Sequence, residues 1–114
     1  MSNFVTLLVE DDPFQRGFIA DLLRDEGFEV VECSSGEAAE LIVATSGTEL
    51  RALITDQNLA GTMSGVELAQ YTRGRYPHMN IIIISGKAVR HLPSKATFLQ
   101  KPIAPAQLLD AVRD

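Results

Sequence analysis

A single cysteine among 114 residues leaves no partner for an internal disulfide. Cys33 lies in the strand-like run Glu29-Val-Val-Glu-Cys33 and reads as a buried structural thiol, not a nucleophile. No uninterrupted apolar run is longer than Ile81–Ile84, far short of a membrane span. The opening Met1-Ser-Asn-Phe has neither the basic cluster nor the long apolar stretch of a secretory leader, so a cytoplasmic chain without a membrane partner is expected. Cations are scarce: 10 Lys and Arg face 15 Asp and Glu, for a formal net charge of −5. That balance disfavours direct nucleic-acid binding, which needs a basic face. Repeats, low-complexity tracts and linker-like stretches are also lacking, and the length fits one domain, residues 1–114.

What the chain has is regular alternation of strand-like and helix-like segments. The apolar run Thr6–Val9 ends in three acids. Pro13 then opens a helix to about Glu26, with Phe14, Phe18, Leu22, Ile19 and Leu23 as an apolar stripe and Gly27 as its C-terminal cap. A second strand spans about Glu29–Cys33. Ser34 with Glu37 reads as a capping box for a helix to about Thr45. The third strand ends at Asp56, and Ser64 with Glu67 gives a second capping box for a helix ending near Tyr76. Further strands are read at Asn80–Ile84 and Thr97–Gln100, and a last helix runs from about Pro105 to Val112. Runs this continuously apolar suit strands covered on both faces by helices. One unit is defective: Pro93 interrupts the stretch between Ser85 and Thr97, so the fourth helix should be shortened or replaced by a loop.

The residues that close the strands form a pattern. Glu10, Asp11 and Asp12 close the first, Asp56 the third, Ser85 the fourth and Lys101 the fifth. In an open parallel sheet the crevice beyond the strands' carboxyl ends is where ligands bind, and so many acids in one crevice call for a cation. Four motifs carry a resemblance across essentially the whole chain: Leu7-Leu-Val-Glu-Asp-Asp-Pro13, Leu53-Ile-Thr-Asp-Gln-Asn-Leu59 with Gly65 after it, Ile82-Ile-Ile-Ser-Gly86, and Phe98-Leu-Gln-Lys-Pro102. Together, in order, they resemble the receiver domain of two-component response regulators.

That resemblance implies an α/β, flavodoxin-like, doubly wound five-stranded parallel sheet in the order 2-1-3-4-5. It implies that Asp56 accepts a phosphoryl group from a phosphohistidine on a sensor histidine kinase or histidine phosphotransferase. It further implies Mg²⁺ held by Asp11 and Asp56 directly, by Glu10 through water and by the backbone carbonyl of Asn58. Lys101 and the Ser85 hydroxyl would each hold a phosphoryl oxygen, with Pro102 in a cis peptide fixing the lysine's loop. Ser85 and Phe98 would form the switch to a downstream protein partner, although Phe98 reads equally well as plain core. Asp12 has no assigned metal role. The chemistry is sound in itself, because phosphoryl transfer is mainly positioning and charge neutralisation and Mg²⁺ takes hard oxygen ligands. Such a domain turns over no separate substrate, so it is expected not to be an enzyme beyond its own phosphorylation and dephosphorylation.

Other readings fit less well. A haloacid-dehalogenase-type phosphatase wants its nucleophile in the first motif, as Asp-x-Asp, together with a cap domain. A flavin protein needs a Ser/Thr/Gly-rich phosphate loop where this chain has three acids. A degenerate receiver would lack key positions that are all present. His78 and His91 lie in polar turns and read as solvated. Lost helical structure between Lys87 and Ala96 would remove part of the face through which receivers commonly signal, leaving that loop or the Phe14–Phe18 face for partner contacts. With nothing after Asp114, a chain complete at this length would act as a single-domain regulator. A longer parent would carry an output or kinase domain, as in a hybrid histidine kinase.

Overall fold

Alternation within the strands creates two cores. In the computed structural model, which describes residues 5–114, β1 (Val5–Val9), β3 (Leu50–Asp56) and β4 (Asn80–Ser85) form the centre of a parallel sheet. The edge strands are β2 (Glu29–Cys33) and β5 (Thr97–Gln100), and the order is 2-1-3-4-5 as expected. Successive side chains in a strand point to opposite faces. Leu7, Val9, Leu53, Ile81 and Ile83 therefore pack on one side, beneath α2 (Gly36–Ser46) and α3 (Gly65–Arg75). Leu8, Ile54, Ile82 and Ile84 pack on the other, against α1 (Pro13–Asp25) and α4 (Pro105–Arg113). Register carries the layers across the sheet: Leu8 pairs with Ile54, and Ile54 with Ile82. A 3-10 turn, Gly47–Glu49, which the sequence reading did not anticipate, leads into β3.

Several expectations are corrected. The α1 stripe splits into two neighbouring ridges, of which the sheet covers only one. Ile19, Ala20 and Leu23 are buried, whereas Phe14 is 88% and Phe18 60% exposed. The expected Ser34–Glu37 capping box does not form. Ser35 is the N-cap of α2, accepting from Ala38 N at 3.1 Å, and Glu37 is drawn instead to the loop after β3. The box on α3 does form: Glu67 N donates to Ser64 Oγ at 3.1 Å and Ser64 N to Glu67 Oε1 at 2.8 Å. Strand β2 is not buried on both faces. As an edge strand it leaves Val31 exposed and Cys33 half-buried, and burial still pushes the thiol pKa up to about 11.

The fourth helix is replaced entirely by an irregular strap of bends and turns, residues 86–96. Val89, Leu92 and Ala96 lie against the core, and His91 and Lys95 adopt φ of 64° and 62°. The strap is tied to α3: Gln70 Nε2 donates to His91 O at 2.7 Å, and Arg73 Nε to Ser94 O at 2.8 Å. Among the described residues no helix is long and apolar enough to cross a membrane.

Candidate functional site at the carboxyl ends of the strands

Backbone bonds between adjacent strand ends bring the site residues to one edge. Gln57 N donates to Ile84 O at 2.9 Å, and Lys101 N to Ser85 O at 2.9 Å, so the ends of β3, β4 and β5 are joined in sequence. Glu10 N donates to Cys33 O at 3.1 Å, joining β1 to β2. The turn after β1 is fixed by Arg16 Nη1, 2.8 Å from Glu10 O, and by Asp12, which caps α1 by accepting from Phe14 N at 3.0 Å. Asp12 thus has a structural task and is not part of the acidic cluster. The loop after β3 returns so closely that a Cβ on Gly65 would overlap the carbonyl oxygen of Asp56 and sit 2.9 Å from Gln57 Cα, so only glycine fits there.

Glu10, Asp11 and Asp56 can each offer a carboxylate oxygen lying within 4.8 Å of the others. Glu10 and Asp56 are buried and Asp11 is exposed, which leaves one side of the cluster open to solvent. Lys101 Nζ lies 3.0 Å from Asp56 Oδ2, 3.8 Å from Glu10 Oε1 and 2.8 Å from Gln15 Oε1. Burial is the main reason the Glu10 carboxyl is pushed up to about 7. The charge on Asp56 adds to the shift, while the Asp12 N–H and Lys101 oppose it. One lysine cannot neutralise three carboxylates, and an all-oxygen donor set with open positions suits a hard divalent cation of the Mg²⁺ type.

Ser85 is buried at the end of β4, where its Oγ accepts from Lys87 N at 3.2 Å and keeps its own proton to donate. Asn58 follows Asp56 by two residues and is exposed. Phe98 is half-buried on β5, paired in register with Ile83. The Lys101–Pro102 peptide is cis, as the resemblance implied. His78 and His91 are exposed. Sequence reasoning missed Gln15, which holds Lys101 and donates from Nε2 to Asp12 Oδ2 at 3.0 Å. It also missed Arg16 and Glu37. Gln15 had a signal, one helical turn beyond Asp12; Glu37 had none, because its partners lie 25 residues away.

A flavodoxin-like α/β fold with an acidic cluster at its switch-point edge defines the class, and the comparisons define the family within it. The family model for the response regulator receiver domain matches residues 6–113. The response regulator FleR of Pseudomonas aeruginosa is 36% identical over 112 residues, 93% of this chain and 23% of FleR. Nodulation protein W of Bradyrhizobium diazoefficiens is 33% identical, covering 95% of this chain and 49% of that protein. Among solved structures, a receiver protein from Sinorhizobium medicae superposes with a TM-score of 0.88 at 30% identity, covering 97% of this chain and 92% of that one. The receiver domain of the hybrid histidine kinase CckA gives 0.82 at 34% identity, covering 96% and 95%. The chain belongs to the response regulator receiver domain family. It spans about a quarter to a half of the curated relatives FleR and Nodulation protein W.

Proposed function

We propose that this receiver accepts a phosphoryl group on Asp56, in a Mg²⁺-dependent reaction, from a phosphohistidine on a sensor kinase or phosphotransferase, and signals to a downstream protein. The observation that carries this reading is the Asp56 carboxylate, buried within 4.8 Å of two other acids and 3.0 Å from Lys101 Nζ. When bound there, Mg²⁺ would neutralise charge shared between the acids and the incoming phosphoryl group. Asp11 and Asp56 would hold it directly, with Glu10 and the Asn58 carbonyl completing the protein's contribution.

The chain's own residues do the rest. Gln57 N donates to Asp56 Oδ1 at 2.9 Å and Lys101 to Oδ2, so the carboxylate is oriented before any donor arrives. Lys101 carries a positive charge towards a phosphoryl oxygen, and Ser85 supplies a hydroxyl proton to another. Turning the Ser85 Oγ towards the phosphoryl group would take it from Lys87 N, at the root of the strap, with Phe98 two residues back on β5, opposite Ile83. The protein would catalyse only its own phosphorylation and dephosphorylation. For the donor, Phe14, Phe18, Pro102 and Ile103 line an apolar groove of about 570 Å³ that includes Lys101 in its wall. A helical partner reaching Asp56 with its histidine would cover that groove.

Borohydride reduces an acyl phosphate but not a free carboxylate, so reductive trapping after phosphotransfer places the group on one residue. The expected product is reduced at position 56 alone. Reduction at another residue, or none with a competent donor, rejects Asp56 as the acceptor.

A further inference from the structure

We propose that Glu37, outside the acidic cluster, is a positioning residue for the phosphoacceptor site: it holds the loop 57–63, which carries Asn58, and thereby sets the site's affinity for Mg²⁺. This rests on the metal-dependent reading above. Glu37 Oε2 accepts three bonds from that loop, from Thr62 Oγ1 at 2.8 Å, Thr62 N at 3.0 Å and Met63 N at 3.1 Å. These donations, the Thr62 hydroxyl first, draw the Glu37 carboxyl below its ordinary value.

The loop has fixed ends. Gln57 is bonded to Ile84 O and to Asp56, and the Ser64 capping box begins α3. Between those ends, among the described residues, side-chain hydrogen bonds to residues 58–63 come from Glu37 alone. The two segments press together at the same place. A Cβ on Gly36 would lie 2.9 Å from Met63 Cβ, and one on Gly61, at φ +89°, would lie 2.7 Å from Glu37 Oε1. Ser35 and Ala60 form an isolated parallel bridge beside them. A backbone carbonyl on an untethered loop must be ordered each time it takes a cation, at a cost in chain entropy; a loop already held avoids most of that cost. Glu37 does this ordering in advance, from outside the acidic cluster.

The test compares wild type, Glu37→Ala, Glu37→Gln and Thr62→Val. Mg²⁺ is titrated calorimetrically, and amide exchange is followed in EDTA. The expected result for Glu37→Ala is about tenfold weaker Mg²⁺ binding, the low end for groups that orient metal ligands. Exchange should quicken at residues 58–63 while the sheet stays protected. Glu37→Gln, which keeps an acceptor oxygen, should recover part of the affinity, and Thr62→Val should lose part of it. Unchanged Mg²⁺ affinity in Glu37→Ala, or a loss matched by faster exchange throughout the sheet, overturns the positioning role. Wild type that binds no Mg²⁺ overturns the metal reading itself and this inference with it, a result separate from equal binding by wild type and variant.

Discussion

Lys101 Nζ and Asp56 Oδ2 are 3.0 Å apart although they stand at the ends of strands that do not pair, β5 and β3, so the lysine spans the end of β4 to reach the acid. Among the described residues it is the cation placed against both buried carboxylates. Replacing it by methionine should slow phosphorylation from acetyl phosphate about a hundredfold, the scale for losing one preorganised charge-stabilising donor. Time-resolved intact mass measures this. Glu10 and Asp56 would also lose their compensation, so the variant's denaturant midpoint should fall more at pH 8 than at pH 5.

Glu10 gives the site its own pH dependence. Its folded-state pKa, about 7, lies above the unfolded value of 4.5. The stability it contributes is therefore fully present below pH 4.5 and is lost as pH rises through 7. Metal-free protein should thus become less stable from about pH 5 to pH 8, and Glu10→Gln should remove much of that slope in thermal melts. Mg²⁺ must compete with the Glu10 proton, so its apparent affinity should rise with pH across 6–8 in wild type and flatten in the variant.

Gly65 is needed for the close return of the loop to Asp56. Gly65→Ala would place a methyl group on the Asp56 carbonyl oxygen. It should cost about 1–3 kcal/mol, the usual range for overpacking, read from urea unfolding. Because the overlap is with the acceptor's own backbone, phosphorylation should also slow, whereas Gly74→Ala, at an open position of the same helix, should leave phosphorylation unchanged and should not destabilise, because alanine is the better helix former.

Phe14 and Phe18 separate donor docking from chemistry. Both are largely exposed, so the double change to alanine should leave the melting temperature within a degree or two and leave phosphorylation by acetyl phosphate unchanged. Transfer from a cognate phosphorylated histidine protein should slow. Equal slowing with both donors would place these side chains in the chemistry instead.

Much of this was legible because it is local. The strand ends that carry Glu10, Asp56, Ser85 and Lys101 are marked by apolar runs, and Pro93 marked the missing helix. Three features were not legible, each because it depends on neighbours distant in the sequence. Phe14 and Phe18 have the spacing of a buried stripe, but the sheet takes only the neighbouring ridge of Ile19 and Leu23. Cys33 sits in an apolar run that an edge position leaves half-open. Glu37 has the spacing of a capping box, yet three donors on a loop 25 residues away outcompete its own helix terminus.

The most direct measurement is intact mass after incubation with acetyl phosphate and Mg²⁺, for wild type and Asp56→Ala. The account predicts a gain of one phosphoryl group in wild type, abolished by chelation and absent from the variant. A gain that persists in Asp56→Ala or in EDTA, or no gain in wild type even with a phosphorylated histidine donor, would contradict it.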